Sequence, residues 1–210
     1  MRKTLILTFL IFIFTTTVFA QDNTKHHVFG GYFSLGAATT LNESSFGKIE
    51  KPKPIFAMGG GGYYDYYFNK FMGLGSGIEF FEKGNYIKSD KITNKFLSMQ
   101  FPTNFLLNFW GVRVQAGVSF NYLLTGKVIT KIDGKKYTYK LSGSDWSGFR
   151  RFNISAKAMV GYCISAGPVG IVPSFTWSMD ILNNDVSDSK SFFSTRFMNF
   201  MFNIGLEFGV

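Results

Sequence analysis

The residues able to do chemistry are few, and their spacing limits what they could do. His26 and His27 are the only histidines, and imidazole is the commonest general base near neutral pH. Neighbouring residues of an extended chain point to opposite faces, so these two cannot act as one pair. A second group, Asp65, Glu79, Arg113, Lys157 and Glu207, falls on the polar side of alternating segments, beside Gln100, Asn104, Gln115, Asn121 and Asn153. If those sides face one enclosed space, the five charges must pair and hydrogen-bond across it, because an unpaired buried charge costs several kcal/mol or neutralises itself. The other outcome for such a group is a narrow ion path or a proton-linked gate.

A third group is basic. Lys127, Lys131, Lys135, Lys136 and Lys140 are followed by Arg150 and Arg151 and interleaved with Tyr137, Tyr139 and Trp146. On a nucleic-acid protein this pattern would suggest stacking and phosphate contacts; in an exported chain it more simply meets lipopolysaccharide phosphates or stays solvated. Asp133-Gly134 within it has the chemistry of a tight hairpin turn. Glycines form the last group, Gly59 to Gly62 and then Gly73, Gly75 and Gly77. Spacing by two marks one face of a strand, and a phosphate-cradling loop would need a following helix that the chain lacks. The glycines are expected to relieve crowding around Tyr32 or Tyr63 and to bend the wall; a small ligand pocket is the alternative. Cys163, a single cysteine, excludes an intrachain disulfide framework. No catalytic residue, metal site or cofactor is expected.

The elements that position these residues are strands of an exported chain. Met1-Arg2-Lys3, the apolar run Leu5 to Phe14 and Val18-Phe19-Ala20 have the order of a cleavable secretory signal over 1–20, and Gln21 in place of cysteine excludes a lipoprotein. The domain is then 21–210, with a formal charge of about +7. Its 26 Phe and 10 Tyr exceed what a soluble core of this size would hide, whereas a lipid-facing barrel places them outside. No later stretch has the roughly 20 apolar residues of a spanning helix, so a crossing must be made by strands.

Read for period two, the chain yields eight segments. Phe200, Phe202, Ile204, Leu206, Phe208 and Val210 oppose Met201, Asn203, Gly205, Glu207 and Gly209. Val112 to Tyr122, Leu97 to Phe109, Phe152 to Tyr162 and Val169 to Met179 repeat the pattern, and three glycine-rich segments lie near 27–37, 55–68 and 72–81. Long polar connections (38–54, 82–95, 125–150, 182–196) alternate with short ones (Asn69-Lys70, Trp110-Gly111, Ser165-Ala166-Gly167), as external loops alternate with periplasmic turns. Pro102 and Pro173 interrupt two segments, and a bulge or an unpaired acceptor is expected at each.

Met99-Gln100-Phe101-Pro102-Thr103-Asn104-Phe105-Leu106-Leu107-Asn108, then Val114-Gln115-Ala116-Gly117 and Tyr122-Leu123-Leu124-Thr125-Gly126-Lys127, resemble the PorT-like outer-membrane β-barrel proteins of Bacteroidetes, most closely over 96–127. The chain departs from that pattern at Thr103-Asn104 and at Val210. The resemblance implies a membrane-embedded barrel and fits Pro102; it carries no residue-level functional motif, though the family's name-giving member is associated with type IX secretion. The expectation is an all-β, eight-stranded antiparallel up-and-down transmembrane barrel in the bacterial outer membrane, with short periplasmic turns and long external loops. It is expected to be monomeric, with a plugged polar lumen. Its role is structural or interactive and is carried by the loops. The partners would be outer-membrane lipid and lipopolysaccharide, or secretion and envelope proteins, and not nucleic acid. A narrow channel and a lipid-modifying enzyme are the remaining alternatives. The enzyme is disfavoured because both histidines fall at the periplasmic start of strand one.

Overall fold

The computed structural model describes residues 26–44, 52–88, 91–132, 135–141, 150–184 and 193–209. The expected signal, the Asp133-Gly134 turn and Trp146 lie outside them. Ten strands are present among the described residues: β1 (His27–Ser44), β2 (Ile55–Tyr67), β3 (Met72–Ile87), β4 (Ile92–Phe109), β5 (Val112–Ile132), β6 (Lys135–Leu141), β7 (Phe152–Tyr162), β8 (Ile164–Ala166), β9 (Val169–Asp180) and β10 (Phe193–Gly209). All pairings are antiparallel, and the order β10-β1-β2-β3-β4-β5-β7-β9 closes on itself because β9 also pairs with β10. The ring therefore has the expected eight strands and no free edge in its wall. β6 pairs with β5, forming a hairpin that stands above the ring, and β8 continues β7 along β9 in the same register after an interruption at Cys163.

Alternation explains why the sheet closes this way round. Phe200, Phe202, Ile204, Leu206 and Phe208 are exposed, while Met201, Asn203, Gly205 and Glu207 between them are buried. The same holds along β5, where Val112, Val114, Val118, Phe120 and Tyr122 face out and Arg113, Gln115, Ser119 and Asn121 face in. A continuous apolar outer wall with residues as open as Phe175, 63% exposed, is far larger than the patches that soluble monomers expose. It is the outward band of a membrane-spanning barrel. Ten residue steps from Val112 to Tyr122, at about 3.4 Å each and tilted by about 40°, rise about 25 Å, the height of that band.

The strands run beyond the band, and here the expected loops need correction. The polar connections were expected to begin at residues 38, 82 and 125 and to end at 196. Instead β1 pairs with β10 up to Ser44↔Phe193, β3 pairs with β4 up to Ile87↔Ile92, and β5 pairs with β6 from Gly126↔Leu141 to Ile132↔Lys135. The third short connection also moves: Ser165 and Ala166 belong to β8, and the turn is Gly167-Pro168, with Gly167 at φ 67°. Above the band the outer face no longer meets lipid and carries polar residues such as Glu82 and Lys95, so the apolar-polar alternation fades although the backbone ladder continues.

Neither proline produces a bulge. The β3–β4 ladder lapses at Gly77-Ile78 opposite Phe101-Pro102 and resumes in the same register, while the Pro102 carbonyl accepts a hydrogen bond from Ser76 Oγ at 3.0 Å. Pro173 keeps its place opposite Ile204 on β10; on its other side it faces the gap between β7 and β8. Each missing N–H falls where the ladder is already open on one side. The register shift lies elsewhere, at Leu124, between Leu97↔Thr125 and Ser98↔Leu123, where β5 leaves β7 and turns to pair with β6.

Candidate functional site

Two constellations emerge, one in the lumen and one on the hairpin above it. The lumen is stacked in three ionic layers. Nearest the short-turn end, Arg113 on β5 donates to Glu207 on β10 through Nη1 at 2.6 Å and Nη2 at 3.1 Å, with Asp65 on β2 3.7 Å from Nη1. Glu207 also accepts from Tyr63 Oη at 3.1 Å and from Cys163 Sγ at 3.0 Å. The Arg113 guanidinium lies 5.9 Å from the Tyr67 ring centroid, within range of a cation–π contact. In the middle layer Lys157 on β7 joins Glu79 on β3. Nearest the loop end, Lys83 on β3 meets Asp180 on β9 at 2.6 Å.

Asp180 is the centre of the upper layer. It accepts from Ser155 Oγ at 2.5 Å and from Asn184 Nδ2 at 2.9 Å, and Asn153 Nδ2 donates onward to Asn184 Oδ1 at 2.7 Å. On another wall Asn203 accepts from Ser34 at 2.6 Å and donates to Ser174 and Thr176 at 3.0 and 2.8 Å. Each strand supplies only every second residue to the lumen, and the polar wall is densest on β9, where Ser174, Thr176, Ser178 and Asp180 are successive buried positions.

All five lumenal charges read from the sequence are buried, and they form the lower and middle layers together. The third layer has no counterpart in the expectation. Lys83 lay within a segment read as loop, and Asp180 stands one residue past the last apolar position of its segment. The signal that could have found them is the continued period of two in Lys83, Asn85 and Phe81, all buried. Among the described residues the buried charges number three cations and four carboxylates, Asp65 being the extra one.

Both ends of the lumen are capped by apolar side chains. Val28, Tyr67 and Leu106 cluster towards the turns, and Phe96, Leu123 and Phe197, with Leu141 of β6 packed against them, towards the loops. Between the lower and middle ionic layers lies a cavity of about 30 Å³, bordered by Asp65, Glu79, Asn104, Arg113 and Lys157. That volume holds one or two water molecules and no continuous column.

The glycines make room for rings. Gly30 stands opposite Tyr63, and a methyl group there would collide with the Tyr63 ring; a methyl at Gly59 would collide with Phe81. Such notches let Tyr63 and Phe81 lie inside a narrow barrel. His26 Nδ1 donates to the Tyr67 carbonyl at 2.9 Å, and His27 Nδ1 shares a hydrogen bond with Tyr64 Oη at 2.8 Å. The two histidines have separate partners. Among the described residues no three His, Cys, Asp or Glu side chains are grouped to hold a metal ion.

The second constellation is the β5–β6 hairpin. Lys127, Lys131, Lys135, Lys136 and Lys140 are all exposed. Lys127 is opposite Lys140 and Lys131 is opposite Lys136, whereas Lys135 is opposite Ile132 and belongs to the other face. Tyr137 and Tyr139 share that other face, 43% and 58% exposed. At the base of the hairpin the Arg151 guanidinium lies 4.8 Å from the Tyr122 ring centroid, at the upper rim of the apolar band.

Fold and site together define a small closed β-barrel with an apolar exterior and an ion-paired interior. Solved structures similar to it are outer-membrane barrels. They include Neisserial surface protein A at 9% identity, covering 90% of this chain and 100% of that one with a TM-score of 0.48. Others are Ail, the attachment invasion locus protein of Yersinia pestis, at 15%, 86%, 99% and 0.41, and OprG from Pseudomonas aeruginosa at 11%, 88%, 96% and 0.41. No protein-family model matches the chain, and no curated protein is similar to it in sequence.

Proposed function

We propose that the chain is a monomeric outer-membrane barrel with a closed lumen that acts through its loop end, as a structural or interaction protein and not as an enzyme or pore. The observation that carries this reading is the stack of three cross-lumen ion pairs, capped by apolar clusters at both ends, with a cavity of only about 30 Å³ between the lower and middle layers. A hydrated ion passing through would have to break each layer, and separating a buried pair costs about 3–5 kcal/mol. A closed barrel satisfies every backbone group internally and so suits a bilayer, and short turns on one side with a tall hairpin on the other match the periplasmic and external sides of that membrane.

Planar-bilayer recording tests the closed lumen: the purified chain should insert without unitary conductance. Steps in the wild type that vanish when Glu79 and Arg113 are replaced would overturn the reading. A gel run with and without boiling should show a mobility shift from the folded barrel. The resemblance over residues 96–127, which form the β4–β5 hairpin, supports a secretion-accessory role as a second reading. Deletion would then leave exported proteins trapped in the periplasm.

A further inference from the structure

The hairpin lysines are arranged more specifically than a solvated loop requires. Lys127 and Lys140 form one rung of the β5–β6 ribbon and Lys131 and Lys136 a second, on the same face. Lys95 on β4 stands beside Lys127, so the lower rung crosses three strands. Directly opposed side chains on one face lie about 5 Å apart, and like charges there repel. Lys95 has a carboxylate, Glu82, at 3.5 Å; among the described residues no carboxylate lies within ion-pair distance of the other four lysines.

The face is also directed. Lys95 shares its side of β4 with Leu97, Met99 and Phe101, the outer wall of the barrel, so the two rungs prolong the lipid-facing surface upward. Lys127 stands about 10 Å above the aromatic rim at Tyr122, and Lys131 about 10 Å higher, by the rise of a tilted strand. Four residues of strand separate the rungs by about 13 Å. The tyrosines and Lys135 face the other way. In the Lys127/Lys140 and Lys131/Lys136 pairs like charges stand directly opposed with no carboxylate among the described residues to offset them, so an anion held between them is stabilising.

We propose that the outer face of the β5–β6 hairpin binds phosphate groups of the glycolipid of the outer leaflet, the Lys95/Lys127/Lys140 rung at headgroup level and the Lys131/Lys136 rung a second phosphate further from the membrane. This rests on the reading that the loop end is external. It assigns a ligand chemistry to that end and makes the barrel's contact with its own leaflet specific.

The full-length chain, refolded into zwitterionic nanodiscs, would be titrated with lipopolysaccharide, with phosphatase-treated lipopolysaccharide and with inorganic pyrophosphate. The expected result is binding that weakens with salt and about fivefold for each of Lys127, Lys131, Lys136 and Lys140 changed to Gln. Lys135→Gln, on the opposite face, should leave it unchanged, and phosphatase treatment should abolish the difference between wild type and quadruple variant. Pyrophosphate binding as tightly as lipopolysaccharide would replace a lipid site by a site for free phosphate and overturn the proposal. So would equal binding of phosphorylated and dephosphorylated glycolipid, or an effect of Lys135→Gln equal to that of Lys136→Gln. The boiling shift establishes that each variant is folded. A conducting barrel that still binds would defeat the closed-lumen reading alone, whereas a silent barrel indifferent to phosphate would defeat this proposal alone.

Discussion

Arg113 and Glu207 stand 94 positions apart on β5 and β10 and are joined by two hydrogen bonds of 2.6 and 3.1 Å across the lumen. The pair is bidentate, the geometry in which guanidinium and carboxylate bind most strongly. Glu207 has two further donors in Tyr63 and Cys163, so one carboxylate ties together β2, β5, β10 and the short link between β7 and β8. Because both partners are buried, the consequence of removing one differs from that of removing both.

Arg113→Met should destabilise the barrel by about 3–5 kcal/mol, since it leaves Glu207 and Asp65 buried without their cation. Replacing both ends, as Arg113→Met with Glu207→Leu, should recover a substantial part of the loss. Urea unfolding from phospholipid vesicles, followed by tryptophan fluorescence, measures both. A double variant as unstable as the sum of its single variants would mean that the pair is not coupled.

Cost on the outer wall should depend on depth. Val118 lies near the middle of the apolar band and Tyr122 at its upper rim, both exposed on β5. Val118→Arg is expected to cost about 2–4 kcal/mol and Tyr122→Arg about 0–1 kcal/mol when folded into bilayers. Equal costs at the two positions in the same vesicle titration would place the band elsewhere on the wall.

Gly30 is a steric partner of Tyr63 and not a flexible link. Gly30→Ala should displace the ring, weaken the Tyr63 contact to Glu207 and cost about 1–3 kcal/mol. Combining it with Tyr63→Ala should reduce the additional penalty to a few tenths of a kcal/mol. A Gly30→Ala barrel with wild-type urea midpoint would remove the steric account.

Sidedness can be read on intact cells. In a Cys163→Ser background, Lys136→Cys on the hairpin should react with a membrane-impermeant maleimide, and Ser165→Cys at the turn end should react only after the outer membrane is permeabilised. The reverse pattern would invert the barrel.

Much of this architecture is visible in the amino-acid order because lipid and lumen impose opposite demands on successive residues. Along β10 the demand is met at almost every position from Phe200 to Phe208, and the fold class, the eight-stranded ring and two of the three turns follow. Legibility stops where the lipid does. From Glu82 to Tyr86 the inward residues Lys83 and Asn85 are buried but polar and Glu82 on the outer side is polar too, so the contrast between the two faces is lost although the ladder continues into Thr125 to Ile132 as well. Lys83 was hidden for that reason, and with it the upper ionic layer. The apolar caps were hidden for another: Leu106, Phe96 and Phe197 break the polar-inside rule where the lumen meets water at either end.

The three ionic layers also constrain the order of assembly. Arg113 waits for Glu207, Lys157 for Glu79 and Lys83 for Asp180, partners separated by 94, 78 and 97 positions. A growing sheet of neighbouring hairpins cannot neutralise its own interior, because two of the three carboxylates that complete the pairs sit on the last two strands. An open intermediate must keep its concave side hydrated, and that side can shed water only when β10 meets β1. Closure and desolvation are thereby a single late event, and a chain truncated before β10 is expected to stall as a wet, unsealed sheet.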